Sequence, residues 1–159
     1  MRSSPKVCTV VLFIQYGSVP LGIAAEEGHT ETVQRLLEAG ANPNDQTKNG
    51  CSPVYVASQN GHTDVVDLLV QAGADIHLAV HEYGSVPLMI AARMGHIKTV
   101  QRLLELGADV NCKEKLGPTA LHFAAEDGHS EVVKLLLRAG ATDTPDQDGK
   151  RAVDKARAI

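Results

Sequence analysis

A Gly-His pair occurs four times in this chain, at Gly28-His29, Gly61-His62, Gly95-His96 and Gly128-His129, with spacings of 33, 34 and 33 residues. Gly-Ala pairs recur in step at Gly40, Gly73, Gly107 and Gly140, and a third series, Gly17, Gly50, Gly84, Gly117 and Gly149, opens each unit. Self-similarity at a period near 33 is the signature of a stacked-repeat architecture. It divides the chain into units at about 15–46, 47–79, 80–113 and 114–145, a truncated fifth unit at 146–159, and an atypical apolar segment at 1–14.

Each unit reads as two short helices. The first runs from about Val19 to Glu27 in unit one, with Pro20 near its start, where a missing N–H costs nothing. Gly28 ends it, because a left-handed residue after a helix is easiest for glycine. Thr30, Thr63 and Ser130 are placed to N-cap the second helix through their side-chain oxygens; Ile97 cannot. In "ETVQRLLEA" the residues Val33, Leu36 and Leu37 share one face. Gly40 stops that helix, and "ANPNDQTKN" makes a polar turn to the next unit. One such pair cannot bury its apolar face alone, whereas stacked pairs bury theirs on one another.

Hydrophobic content of 43% and charged content of 21% are ordinary for a globular chain. A net charge of −4 argues against phosphate-backbone binding, which needs excess Lys and Arg, so nucleic acid is not an expected partner. Cys8, Cys51 and Cys112 are odd in number and widely spaced, which suggests reduced thiols and a cytoplasmic or nuclear chain. No apolar run approaches ~20 residues, so membrane insertion is not expected. Residues 7–14, "VCTVVLFI", faintly resemble a signal peptide, but the run is short and no A-x-A-like cleavage site follows.

"GPTALHFAAEDGH" (117–129) resembles the ankyrin repeat pattern G-x-T-P-L-H-x-A-A-x-x-G-H, with Ala120 in place of Pro. Looser matches are "GCSPVYVASQNGH" (50–62), "GSVPLGIAAEEGH" (17–29) and "GSVPLMIAARMGH" (84–96). The trailing pattern V-V-x-L-L-L-x-x-G-A-D-x-N is matched at 33–44, 65–77, 100–111 and 132–143. The resemblance implies an all-α fold: an ankyrin-repeat solenoid of helix-turn-helix units joined by β-turn fingers. It also implies that the Gly-His histidines and His122 are structural. Units one and three lack the Thr and His of T-P-L-H, having Val19 and Gly22, and Val86 and Met89. Weaker local stability is expected there. One extra residue within "HLAVHEY" predicts a longer or bulged finger at 78–83.

The charged unit five, "DQDGKRAVDKARAI", suits a C-terminal cap. Unit one does not look like a cap, since residues 16–44 match 83–111, an internal unit, at 21 of 29 positions. Three arrangements fit: a piece of a longer array, an improvised apolar cap made by residues 7–14, or a sticky edge through which those residues mediate weak self-association of an otherwise monomeric chain.

No catalytic constellation is present: no HExxH, no phosphate-binding Gly-rich loop, no GxSxG. The Asp-x-Asp-Gly run near 146–149 lacks oxygen ligands at the first and twelfth positions of a calcium loop, Thr144 and Lys155, and reads as a charged turn. His77 and His81 lie four apart in a loop with no third ligand. No cofactor or metal is expected, and no enzymatic activity.

The expected function is a protein-protein interaction module or scaffold that binds a protein or peptide. In ankyrin-like stacks partners lie on the concave side, made by fingers and first helices. By repeat position, the first-helix ends are Glu26/Glu27, Gln59/Asn60, Arg93/Met94 and Glu126/Asp127. The fingers contribute Gln15/Tyr16, Lys48/Asn49, Glu82/Tyr83 and Lys115/Leu116. The skeleton stays constant while these positions change character, so partner choice can be encoded there. Tyr83, Arg93 and Met94, with Tyr16 behind them, are the sharpest candidates, because Tyr and Arg dominate binding hot spots and Met adapts to irregular apolar surfaces. Layers about 10 Å apart give a strip roughly 40 Å long, enough for an interface of about 800 Å² per partner. Homotypic assembly through the N-terminal end is one alternative. In another, the chain belongs to a longer array that is a substrate of asparaginyl hydroxylases: Asn44, Asn111 and His77 hold the finger position modified in the ankyrin family, and the competing role of the Asn residues is to stabilise the turn.

Overall fold

The computed structural model describes residues 20–153. Among the described residues there are eight helices and no strand: α1 (Pro20–Glu26), α2 (Thr30–Glu38), α3 (Pro53–Gln59), α4 (Thr63–Gln71), α5 (Pro87–Arg93), α6 (Ile97–Glu105), α7 (Ala120–Glu126) and α8 (Ser130–Arg138). Units one to four each supply a seven-residue first helix and a nine-residue second helix. Helices this short are marginal in water on their own. They persist because their apolar residues are shared: Val54, Val56 and Ala57 of α3, Ala91 and Ala92 of α5, and Ala124 of α7 are all buried in one continuous core. Proline begins α1, α3 and α5, as its fixed φ allows.

First helices pack side by side, as do second helices, in two layers. The first-helix layer is the tighter of the two, so the stack is concave on the side of the first helices and fingers. The Gly-His turn connects the layers. Gly61 takes φ +75°, a left-handed conformation, and a Cβ there would lie 2.7 Å from Nδ1 of His96 in the next unit. Gly128 has the same backbone (φ +76°) with nothing within 4 Å. The glycine therefore serves both the turn and the joint at Gly61, and the turn alone at Gly128 among the described residues.

The expected N-caps are corrected. Thr30, Thr63 and Ser130 are the first helical residues, and the cap position belongs to His29, His62 and His129, without a side-chain cap bond. The histidine φ/ψ near −80°/+75° already presents its carbonyl to the first turn, as in Val66 N to His62 O at 3.0 Å. Ile97 consequently begins α6 in the same geometry behind His96. Freed from capping, the Thr63 hydroxyl pairs with that of Thr99 at 2.9 Å. Side-chain capping appears on first helices instead: Ser52 Oγ accepts from Tyr55 N, and Thr119 and His122 form a capping box.

The fingers hydrogen-bond in register. His81 N donates to Asn49 O (2.9 Å), Lys115 N to Tyr83 O (3.0 Å) and Gln147 N to Leu116 O (3.4 Å). The turns close from Gly50 to Thr47, Gly117 to Glu114 and Gly149 to Asp146, three residues back, but from Gly84 to Val80, four back. The extra residue of unit three thus widens its finger, as its sequence predicts. In unit five Asp146 Oδ1 accepts from the backbone of Asp148 and Lys150, which ties down the charged turn.

The expectation of reduced thiols is corrected at Cys51, which is disulfide-bonded, while Cys112 is free. Tyr16 and the segment 7–14 lie outside the described residues.

Candidate interaction surface

The recurring polar side chains are committed inside the stack. Nε2 of His62, His96 and His129 each donates, at 2.9 Å, to the carbonyl of Glu26, Gln59 and Arg93 in the preceding unit. A carbonyl only accepts, so Nε2 carries the proton in each ring. These bonds also align the first-helix ends, one per unit. His122 Nδ1 accepts from Thr119 N, and its Nε2 reaches Lys150 O at 3.3 Å, a structural role as the resemblance implied.

The positions that vary from unit to unit lie at the helix ends and fingertips. The arginine expected to be a cationic hot spot is already occupied. Arg93 lies over the Phe123 ring at 5.3 Å and its Nε is 3.7 Å from Asp127 Oδ2, so its charge is shared within the domain. Met94 is half-buried against the core. Gln59 is buried, Asn60 donates to Val56 O, and Glu26 and Glu126 are half-buried; Glu27 and Asp127 are exposed.

Tyr83 is 43% exposed and Leu116 61% exposed. The Tyr83 O to Lys115 N bond places these two apolar side chains on neighbouring fingertips. Lys115 is exposed, and its ammonium donates to His81 O, which pins it beside the pair. Glu82, the extra residue, is exposed at the crest of the widened finger. Leu116 was not among the sharp sequence candidates. Its signal was present: it directly precedes the finger glycine Gly117, as Tyr83 precedes Gly84, where units two and five carry Asn49 and Asp148.

Asn44 and Asn111 join adjacent units. Asn44 Nδ2 donates to Gly73 O (2.9 Å) and its Oδ1 accepts from Asp75 N (2.7 Å). Asn111 bridges likewise to Gly140 O (3.2 Å) and Thr142 N (2.8 Å). His77 holds the equivalent place, is exposed, and makes no such bridge among the described residues; its backbone N–H bonds Asp75 Oδ1. Among the described residues no group of three or more His, Cys, Asp or Glu is placed to hold a metal ion, and no helix is long and apolar enough to cross a membrane.

A family model described as ankyrin repeats (3 copies) matches residues 21–114 and again 88–157. The chain belongs to the ankyrin-repeat family, and its repeats make it a protein-interaction module. It is also similar to the E3 ubiquitin-protein ligase hecd-1 of Caenorhabditis elegans, 58% identical over 40 residues. That match covers 24% of this chain and 2% of the relative, so the chain spans a small fraction of that protein's length.

Proposed function

We propose that this chain is a non-enzymatic recognition module that holds a protein or peptide on its concave side, centred on the Tyr83–Leu116 fingertip pair. The observation that carries this reading is the division of labour. Histidine and asparagine at fixed repeat positions are bonded between units, while the residues that vary from unit to unit lie on the fingers and first-helix ends. An exposed tyrosine beside an exposed leucine supplies an apolar anchor, and Lys115, Glu82, Glu27 and Asp127 supply a charged rim, the anatomy of a specific interface. The 40-residue likeness to a ubiquitin ligase is a likeness of repeats and assigns no ligase chemistry to this chain. The structural bonding of Asn44 and Asn111 favours turn stabilisation as their first role; hydroxylation at these positions remains the second reading, resting on their repeat position.

The test is affinity capture on the immobilised full chain with Tyr83→Ala/Leu116→Ala as the paired bait. Both side chains are exposed, so the variant keeps its urea midpoint. A protein retained by the natural chain and lost from the variant supports the reading; equal retention by both contradicts it.

A further inference from the structure

The finger row carries a charge opposite in sign to that of the chain. Over residues 47–50, 80–84, 113–117 and 146–151, Lys48, Lys113, Lys115, Lys150 and Arg151 are exposed cations, whereas Glu82 and Asp148 are the exposed carboxylates. The whole chain has a net charge of −4. The other carboxylates of these segments, Glu114 and Asp146, are half-buried, and Asp146 Oδ1 already accepts from the backbone of Asp148 and Lys150. Among the described residues Lys48, Lys113 and Lys150 take part in no ion pair. The Lys115 ammonium has a neutral partner, the His81 carbonyl, which leaves its charge unneutralised and further N–H donors available. The facing edge of the concave side is the reverse. Glu27 and Asp127 are exposed at the first-helix ends, and the guanidinium there, that of Arg93, is shared with Asp127 and the Phe123 ring.

The cations are also held in place. His81 stands between them: its N–H donates to Asn49 O at 2.9 Å, its Nδ1 donates to Lys48 O at 3.1 Å, and its own carbonyl takes the Lys115 ammonium. A Cβ at Gly50 would lie 2.7 Å from His81 Cδ2, so the fingers of units two and three are in contact. Lys48 and Lys115 are thereby fixed on either side of the finger that carries Tyr83. Like charges gathered on one edge repel and add nothing to the stack.

We propose that the partner presents an acidic segment, with Asp or Glu residues flanking an apolar side chain; this rests on the fingertip reading above and gives it a sign. The apolar side chain seats against Tyr83 and Leu116, 43% and 61% exposed. The flanking carboxylates meet the lysines of the neighbouring fingers. The apolar contact supplies the anchor, and the charges select the partner and speed its arrival. A nucleic acid fits less well. Its phosphates repeat without a break, whereas Glu82 at the crest of the unit three finger and the acidic helix ends interrupt the cations. A segment with interspersed acids can leave those places neutral.

The test selects random peptides displayed on phage against the immobilised full chain, and then measures the affinity of the enriched sequences as free peptides. The expected peptides are rich in Asp and Glu around an aromatic or aliphatic residue. Their affinity should fall by about tenfold or more for Lys48→Glu/Lys113→Glu, whose side chains stand outside the ion pairs of the domain, and should fall with added salt. Replacing the acids of a selected peptide by Asn and Gln should weaken it to a similar degree. Neutral or basic peptides that need Tyr83 and Leu116 would overturn the acidic partner and leave the fingertip reading standing. Acidic peptides bound equally by Tyr83→Ala/Leu116→Ala would overturn the fingertip reading and this inference with it. No enrichment, indifference to Lys48→Glu/Lys113→Glu, or tighter binding of a single-stranded oligonucleotide than of every selected peptide would each overturn the proposal.

Discussion

The joint between units two and three is tied differently from the joints on either side of it. Units one and two are stapled by Asn44, and units three and four by Asn111, each amide bonded to two groups of the following unit. His77 takes that place in the middle joint. There the links move to other layers: Thr63 with Thr99 and Asp67 with Arg102 between second helices, and the buried Tyr55, whose phenol is influenced by Ser85 of unit three. All three joints keep the Gly-His contact. The comparison teaches that the turn glycine and its histidine are the common requirement, whereas the remaining links can shift between loop, core and convex face.

The largest effect should come from the common element. Gly61→Ala forces a left-handed alanine and drives its Cβ against His96, so a loss of about 3–4 kcal/mol is expected from equilibrium urea unfolding. Gly128→Ala meets only the backbone penalty and should lose about 1–2 kcal/mol. Equal losses would mean that the histidine contact does not couple the units.

Tyr55 sharpens the distinction between joints through pH. Burial, the main cause, pushes its phenol from 10.0 up to about 12, although the Ser85 hydrogen bond lowers it; Glu114 adds a smaller rise and Arg93 a smaller fall. A group whose folded pKa is raised stabilises fully below its unfolded pKa. That stability, of order 3 kcal/mol, should be lost as pH rises from about 10 to about 12. Tyr55→Phe should abolish this share of the alkaline loss. An unchanged alkaline profile in Tyr55→Phe, read by urea midpoints, would show that the middle joint does not depend on the neutral phenol.

A smaller effect tests the staple. Asn111→Ala removes the amide bridge and should cost about 1–2 kcal/mol, with faster amide exchange concentrated in unit four. His77→Asn offers the middle joint the same bridge and should gain about 0.5–1 kcal/mol. No gain would mean that the middle joint cannot close around an asparagine.

The repeat architecture was legible because glycine spacing and apolar periodicity report directly on turns and shared faces. The widened finger was legible too, since one extra residue in a strict period must go somewhere. The caps of the second helices were misread because Thr30, Thr63 and Ser130 have the right chemistry one position too late; the cap depends on the φ/ψ of the preceding histidine, which composition does not encode. The cystine at Cys51 was hidden because an odd number of widely spaced cysteines does not announce a pair. At the candidate surface, the fingertip register pointed to Tyr83, but Arg93 could not be recognised as occupied. Its partners, Phe123 and Asp127, lie in the next unit and meet it only after stacking.

The most direct test of the central claim, that repeated residues hold the stack while unit-specific residues make the contact surface, compares partner retention at equal amounts of folded protein. Tyr83→Ala/Leu116→Ala and Asn111→Ala would be immobilised beside the natural chain. Loss of the partner from the fingertip variant and its retention by the Asn111 variant is the predicted result. Retention by the fingertip variant, with loss from Asn111→Ala, would contradict the account.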